Sequence, residues 1–360
     1  EGTVEKASGI VNMGVNVPRI NKDGSLLLEP ARTNVLLWSQ DFSNAVWTKM
    51  SVGTGTAPVV IPNAGISPDG TQNADRVIFD SSLAIEDRSI LRQSITQLSG
   101  EEKHTYYVKS FDGTPQYITA HPSTLEGSFL VTDEWQRIEF TISSATKTYS
   151  GLEVRNGRTP SNTADILVWQ GQCEDNVSYP TSPIKTEGAT ATRLADRCFN
   201  DNLGNVINGS EGTLFFDGVF IGEDTNRRIS ISDGTNSNFI QFGLNINNNT
   251  QVSVTAGGVA QFDVFNNSGF VWGQSSKFAF AYAENDFRVY IDGLLFASSN
   301  SGITFPDGVL DTLNFARYDG ISNVFTGTVS SLSYYPSALS DAECYDLTSK
   351  KITTYKELAK

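Results

Sequence analysis

Apolar and polar residues alternate with a period of two along most of this chain, the pattern of strands with one face on a core and the other in solvent. In Gln136–Ile142, Ile138, Phe140 and Ile142 share one face, while Arg137, Glu139 and Thr141 share the other. The same alternation marks Arg76–Asp80, Ile90–Thr96, Thr105–Phe111, Gln116–His121, Gly151–Arg155 and Asp165–Gln170. Turn residues separate these short runs, as in an all-β sandwich. A loop-like stretch rich in Gly, Asn and Thr, 188–211, interrupts the pattern, which resumes from Gly212 with GTLFFDGVFI, RISISDG, FIQFGLNI, QVSVTA and KFAFAYAENDFRVYIDG. Helical periodicity is poor in the first half. The pattern predicts an all-β chain of two β-sandwiches, at 35–187 and 212–349. Residues 1–34 read as an extended N-terminal arm, 188–211 as a linker and 350–360 as a polar C-terminal tail with some helical character.

Composition narrows the function classes. The 360 residues suffice for two cores, and 21 Phe, 12 Tyr and 31 Gly suit sheets joined by many turns. With 26 Lys+Arg against 40 Asp+Glu, the net charge of −14 argues against a nucleic-acid binder and against an anionic bilayer. No apolar run approaches the roughly 18 residues of a membrane span. Cys173, Cys198 and Cys344 are an odd number, with no CxxC or Cys/His cluster, and read as ordinary thiols. The chain begins at Glu1 without an initiator Met, which reads as a fragment or a processed product.

Two stretches carry a family resemblance. SLLLEPARTNVLLWSQDFSNAVWTK (Ser25 to Lys49) resembles a segment of phage tail-fibre and virion-surface proteins that precedes a jelly-roll carbohydrate-binding domain. DILVWQGQCEDNVSYPTSPIKTEGATATRLAD (Asp165 to Asp196) resembles the closing strand and exit of the same module. The strand order between them is similar to the carbohydrate-binding jelly rolls appended to xylanases. In the second half, FRVYIDGLLFA (Phe287 to Ala297) and YYPSALSDAECYDL (Tyr334 to Leu347) resemble the central hairpin and closing helix of laminin-G-like, concanavalin-like sandwiches. Asp292-Gly293 supplies the positive φ of a tight hairpin, and Ser340 with Glu343 forms a capping box for the helix. The resemblance implies a carbohydrate-binding-module-like jelly roll followed by a laminin-G/concanavalin-like domain, at a virion surface or in an extracellular setting.

Sugar sites combine aromatic rings with polar groups that bond hydroxyls. If Tyr106, Val108, Ile118 and Ala120 face the core, then Tyr107, Tyr117 and His121 face outward, and one sheet presenting all three would grip a glycan. Arg155 joins an outward face. Trp38, Trp47 and Trp135 read as packing residues, whereas Trp169 in the closing strand stays open between core and ligand. In the second half, Arg317 and Tyr318 place a cation and an aromatic in one turn. A solvated pairing of Arg317 with Asp319 or Asp311 competes with that reading.

The glycanase-appended jelly rolls imply a structural Ca²⁺ held by acidic residues near the opening and closing strands. Here Asp41 and Glu174 stand nearest those places, while Gln170-Gly171-Gln172 replaces the acidic pair. Asp307, Asp311 and Asp319 offer hard oxygen ligands near one rim of the second domain. Concanavalin-like glycosidases carry E-x-D-x-x-E on one strand. This chain has Glu284-Asn285-Asp286 followed by Val289 where the third carboxylate belongs. There is no G-x-S-x-G, Walker loop or HExxH. The expectation is therefore a non-catalytic adhesion protein whose partners are a polysaccharide or surface glycan and other virion proteins. A homotrimer fits a fibre or a decoration role. The alternatives are an assembly protein that binds no sugar, and an accessory binding module of a glycanase.

Overall fold

The computed structural model describes residues 2–14, 16–96, 100–122, 127–142, 148–222 and 225–350. Of the polar tail read at 350–360, residues 351–360 lie outside the described residues. The chain divides into two compact units, one of residues 1–19 and 31–194, the other of residues 20–30 and 195–360.

The first unit opens with strands β1 (Gly2–Lys6) and β2 (Gly9–Met13), which pair as a hairpin. Strand β3 (Leu26–Leu28) belongs to the second unit. The first unit resumes at β4 (Arg32–Asn34), β5 (Trp47–Val52), β6 (Thr56–Gly65), β7 (Ala74–Asp80) and β8 (Arg88–Ser94). It continues through β9 (Glu102–Ser110), β10 (Gln116–His121), β11 (Ser128–Val131) and β12 (Gln136–Ile142). It closes with β13 (Tyr149–Arg155), β14 (Thr163–Asp175) and β15 (Ala191–Arg193). Two five-stranded antiparallel sheets result, sheet one in the order β11-β10-β13-β8-β5 and sheet two in the order β12-β9-β14-β7-β6.

Alternation along the strands sends one set of side chains into a shared core. Ile118 and Ala120 from β10, Leu152 and Val154 from β13, and Leu91 from β8 meet Tyr106, Val108, Phe140, Ile166 and Val168 from sheet two. Phe42 and Trp47 enter the same core, their ring centroids 4.7 Å apart. The two segments singled out in the sequence lock together through Asn34. Its Nδ2 donates to Gly171 O at 3.0 Å and Ile184 O at 2.9 Å, and its Oδ1 accepts from Cys173 N at 3.1 Å.

The second unit contains β16 (Phe199–Asn200), β17 (Glu211–Phe220), β18 (Arg227–Ser232), β19 (Phe239–Leu244), β20 (Thr250–Ala256) and β21 (Val259–Asn266). It continues with β22 (Ser275–Ala283), β23 (Asp286–Ile291), β24 (Leu294–Ser299), β25 (Thr312–Asn314), β26 (Gly327–Tyr335) and helix α1 (Asp341–Thr348). Two six-stranded sheets, β16-β25-β18-β19-β20-β21 and β24-β23-β22-β17-β26-β3, enclose a core rich in Phe side chains. Asp292 and Gly293 turn the β23–β24 hairpin with φ of 50° and 79°. Ser340 caps α1, with its reciprocal Glu343 bond in place. Cys344 and Leu347 seat the helix against Ala279, Ala281 and Tyr290.

The sequence-level boundaries differ from this arrangement in two places. The arm is not simply extended, because its residues are used three ways: in the β1–β2 hairpin, in β3 as an edge strand on β26, and in β4 paired with β15. The segment read as a linker carries β15 and β16, the latter paired with β25. Both strands are three residues or fewer, too short to leave a period-two signal. No helix among the described residues is long and apolar enough to cross a membrane.

Candidate functional site

The outward phase read from the sequence holds on β9 and β10, but the expected grouping does not. Tyr107 lies on sheet two, whereas Tyr117 and His121 lie on sheet one. The two sheets turn their outer faces in opposite directions, so no single face presents all three. Alternation reports inside against outside; it does not report which strands are neighbours.

Sheet one does bring Tyr117, His121 and Arg155 to one outer face, and adds Arg92, Tyr149 and Glu153. Thr119 pairs with Glu153, and His121 pairs with Gly151, which pairs in turn with Arg92. Gly151 adds no side chain, and a Cβ there would lie 2.2 Å from Leu91 O. The space above it is framed by His121 and Arg92, whose Nε2 and Nη1 are 3.4 Å apart. His121 Nδ1 lies 2.8 Å from Glu153 Oε2. The Arg92 guanidinium sits 3.8 Å over the Tyr149 ring. At the far end Arg155 bonds Glu86, and Arg88 lies 3.8 Å from the same carboxylate. Glu153 is 0% and His121 6% exposed, although both are on the solvent side of the sheet. Burial disfavours the charge on Arg155 and lowers its pKa. Tyr117 also lines an adjoining cleft of about 580 Å³ with Gln116, Pro160 and Asp112. The Asp112 carboxyl is held down to about 2 by donors from Thr114, Ser110 and Gln116.

On sheet two, Tyr107 packs edge-on against Trp169 at 5.4 Å. Trp169 is buried with Leu167, Ala74 and Ile10 of the N-terminal hairpin, and Trp135 packs alongside. The hairpin thus covers these aromatics. Trp47 is a core residue and Trp38 is half-buried.

Inside the core, Glu102, His104 and Ser150 have the connectivity of a hydrolytic triad. His104 lies 3.0 Å from Glu102 Oε2 and 2.7 Å from Ser150 Oγ, which is 2.6 Å from Tyr106 OH. All four are essentially unexposed, so the network ties β9 to β13 and meets no substrate. Cys173 Sγ is 3.7 Å from the same imidazole, and burial pushes its thiol well up. All three cysteines are free.

The residues that the resemblance implied for calcium are already engaged by hydrogen-bond donors of the chain. Asp41 Oδ1 already accepts from Ser43 N, Ser43 Oγ and Asn44 N. Glu174 is buried and accepts from Gln172 Nε2, Thr181 N and Thr181 Oγ1; burial raises its pKa against those bonds. The carbonyls of Ser43 and Asn44 are instead taken by the Lys49 ammonium at 2.9 and 3.0 Å. In the second unit, Asp319 is spent on Ile321 N, Ser322 N and Ser322 Oγ. Burial pushes its carboxyl up, but those donors and Arg317 hold it below the ordinary value. Asp311 accepts from Thr312 Oγ1, and Asp307 is exposed in a turn.

Arg317 and Tyr318 do share one turn, with the guanidinium 4.4 Å over the ring and Tyr318 stacked on Phe239 at 4.7 Å. Glu284 sits exposed on the two-residue turn between β22 and β23, Asp286 is bonded by Arg288 at 2.8 Å, and Val289 is in the core. That stretch does not form a row of carboxylates.

Comparison with known proteins finds a likeness within the second unit. Residues 219–344 match the Laminin_G_3 family model, described as the concanavalin A-like lectin/glucanases superfamily. No curated protein matches the chain. Among solved structures, the CBM40 module of the Ruminococcus gnavus IT-sialidase, bound to alpha2,6 sialyllactose, is 15% identical. That match covers 41% of this chain and 91% of that one, with a TM-score of 0.35. The tandem CBM22 domains of Paenibacillus barcinonensis Xyn10C are 11% identical, covering 86% and 99% of the two chains with a TM-score of 0.29. Domains LG4-5 of the mouse laminin alpha1 chain are 11% identical, covering 70% and 86% with a TM-score of 0.29.

Proposed function

We propose that this chain is a non-catalytic glycan-binding protein and that the outer face of sheet one is its binding surface. The observation that carries this reading is the strip formed by Tyr149, Arg92, His121 and Glu153 around the side-chain-free Gly151. An aromatic ring lies beside fixed donors and acceptors, the combination that holds a sugar by its apolar face and its hydroxyls. Each polar group is oriented by a neighbour before ligand arrives, which reduces the ordering cost of binding. The lectin-type match of residues 219–344 supports the same class.

Binding without chemistry is favoured by the state of the carboxylates. Glycoside hydrolysis needs two carboxyl groups flanking the scissile bond. Here Glu153 is committed to His121 and Glu86 to Arg155, while Glu284 and Asp286 lie on a turn and in an ion pair. The resemblance of Ser25–Lys49 and Asp165–Asp196 to phage segments supports display on a virion, where many copies would multiply weak single-site binding. Immunogold labelling of intact particles checks that placement.

A glycan array on the folded chain, followed by calorimetry on the best ligand, tests the binding reading. Tyr149→Ala and Arg92→Ala should each weaken binding at least tenfold, about 1.4 kcal/mol. A blank array, or affinities unchanged in both variants, overturns it.

A further inference from the structure

The outer face of sheet two holds a second feature, separate from the strip on sheet one. The β1–β2 hairpin roofs this face and is pinned on both sides. Ile10 N donates to Pro68 O at 2.8 Å, and Thr3 Oγ1 donates to Pro183 O at 3.0 Å. Under the roof lies a cavity of about 250 Å³. At roughly 30 Å³ per water it has room for the equivalent of about eight waters, the scale of one sugar ring.

A bulge in β14 shapes the cavity floor. Trp169 pairs with Tyr107 and Gln172 with Thr105, so Gln170 and Gly171 together oppose Tyr106. Gln170 adopts a left-handed φ of 51°. The irregularity lets two consecutive residues, Trp169 and Gln170, line one cavity, as an unbroken strand would not.

Two residues that line this cavity each carry a buried polar atom without a hydrogen-bond partner: Trp169 Nε1, a donor, and Asn73 Oδ1, an acceptor. Trp169 is 1% exposed. Leaving such groups unsatisfied costs about 1–3 kcal/mol each. A hydroxyl both donates and accepts, so a ligand bearing several serves both. The amides beside them are already fixed, Gln40 Nε2 donating to Gln170 Oε1 at 2.9 Å and Gln170 Nε2 to Ile184 O at 2.9 Å. Ile10 and Pro183 supply apolar surface for C–H groups. Charge is balanced: Asp69 is occupied by Thr71 and Ser67, and Lys185 at the mouth lies 3.4 Å from Glu187. A neutral ligand matches this lining better than an anion does.

We propose that the cavity between the hairpin and β14 binds a single uncharged sugar ring, an end group or side branch of a polysaccharide. The site lies on the opposite outer face of the sandwich from the strip and does not depend on it.

Proton–nitrogen NMR on the full chain tests the proposal. The chain has five Trp, hence five indole N–H signals, and Trp169→Phe identifies the relevant one. Methyl glycosides of glucose, galactose, mannose and N-acetylglucosamine are the probes. At least one should shift that signal progressively. Asn12→Trp, at the exposed mouth, should weaken the shift at least tenfold while leaving the rest of the spectrum folded. Tyr149→Ala should leave it unchanged even if it abolishes binding on sheet one. A signal unmoved by all four glycosides, a shift that survives Asn12→Trp, or a shift lost in Tyr149→Ala overturns the proposal.

Discussion

Lys49 shows how one side chain alters the chemistry expected of a site. Its ammonium bridges the Ser43 and Asn44 carbonyls in the field of Asp41 and the buried Asp75. Burial lowers the Lys49 pKa and raises that of Asp75, while the charges of Asp41 and Asp75 favour the ammonium. A covalently attached cation thus stands among oxygens that could otherwise attract a metal. Lys49→Met should cost about 1–3 kcal/mol, because the carbonyls lose a charged donor. That loss is a fall of roughly 2–4 °C in Tm per kcal/mol. Calcium should not restore it, since Asp41 and Asp75 already accept backbone N–H groups. Differential scanning calorimetry of the variant, with calcium and with EDTA, reads both outcomes; recovery in calcium would show that the oxygens form a metal site after all. In the sequence, Asp41 was legible as an acidic residue near the opening strand. The occupant was not, because Lys49 bonds residues five and six positions earlier and carries no motif.

At the scale of elements, alternation located seven strands of the first unit within a few residues, including β10 and β12 to the residue. Within the two five-stranded sheets it missed β5, β6 and β11. Strand β6 is an edge strand with Pro58 and Pro62, which read as turn signals although edges tolerate them. Strand β5 turns Lys49 inward against the expected pattern, and β11 has only four residues. The candidate site was correspondingly half legible. Outward residues on β10 and Arg155 could be named, but Arg92, Tyr149 and Glu153 become their neighbours only once β8, β13 and β10 are placed side by side. The hairpin is another element invisible to periodicity, and one residue secures its seat. Gly9 has φ +112°, and a Cβ there would lie 2.1 Å from Pro68 O. Gly9→Ala should therefore unseat the roof locally. Hydrogen exchange should rise at the amides of β1 and β2 while the sandwich core stays protected. Unchanged exchange in the hairpin would show that Gly9 does not hold it.

For the whole molecule, the main fact is that the second unit is discontinuous in sequence. Residues 20–30 belong to it, and β3 completes one edge of its six-stranded sheet by pairing Leu26, Leu27 and Leu28 with Val329, Thr328 and Gly327. A polypeptide of residues 195–360 alone would expose the β26 edge, and unpaired edges invite association. Such a piece should self-associate in sedimentation analysis, and adding a peptide of residues 20–30 should reduce this; a monomer that ignores the peptide would show that β3 is dispensable. The same connectivity also sets a clock. Leu28 is made about 300 residues before Gly327, so at roughly 5–20 residues per second its partner emerges from the ribosome some 15–60 s later. Every strand of the first sandwich is synthesised during that interval. A run of three leucines is therefore made long before the strand it pairs with, and for that interval Leu26–Leu28 lacks its native partner in the sheet.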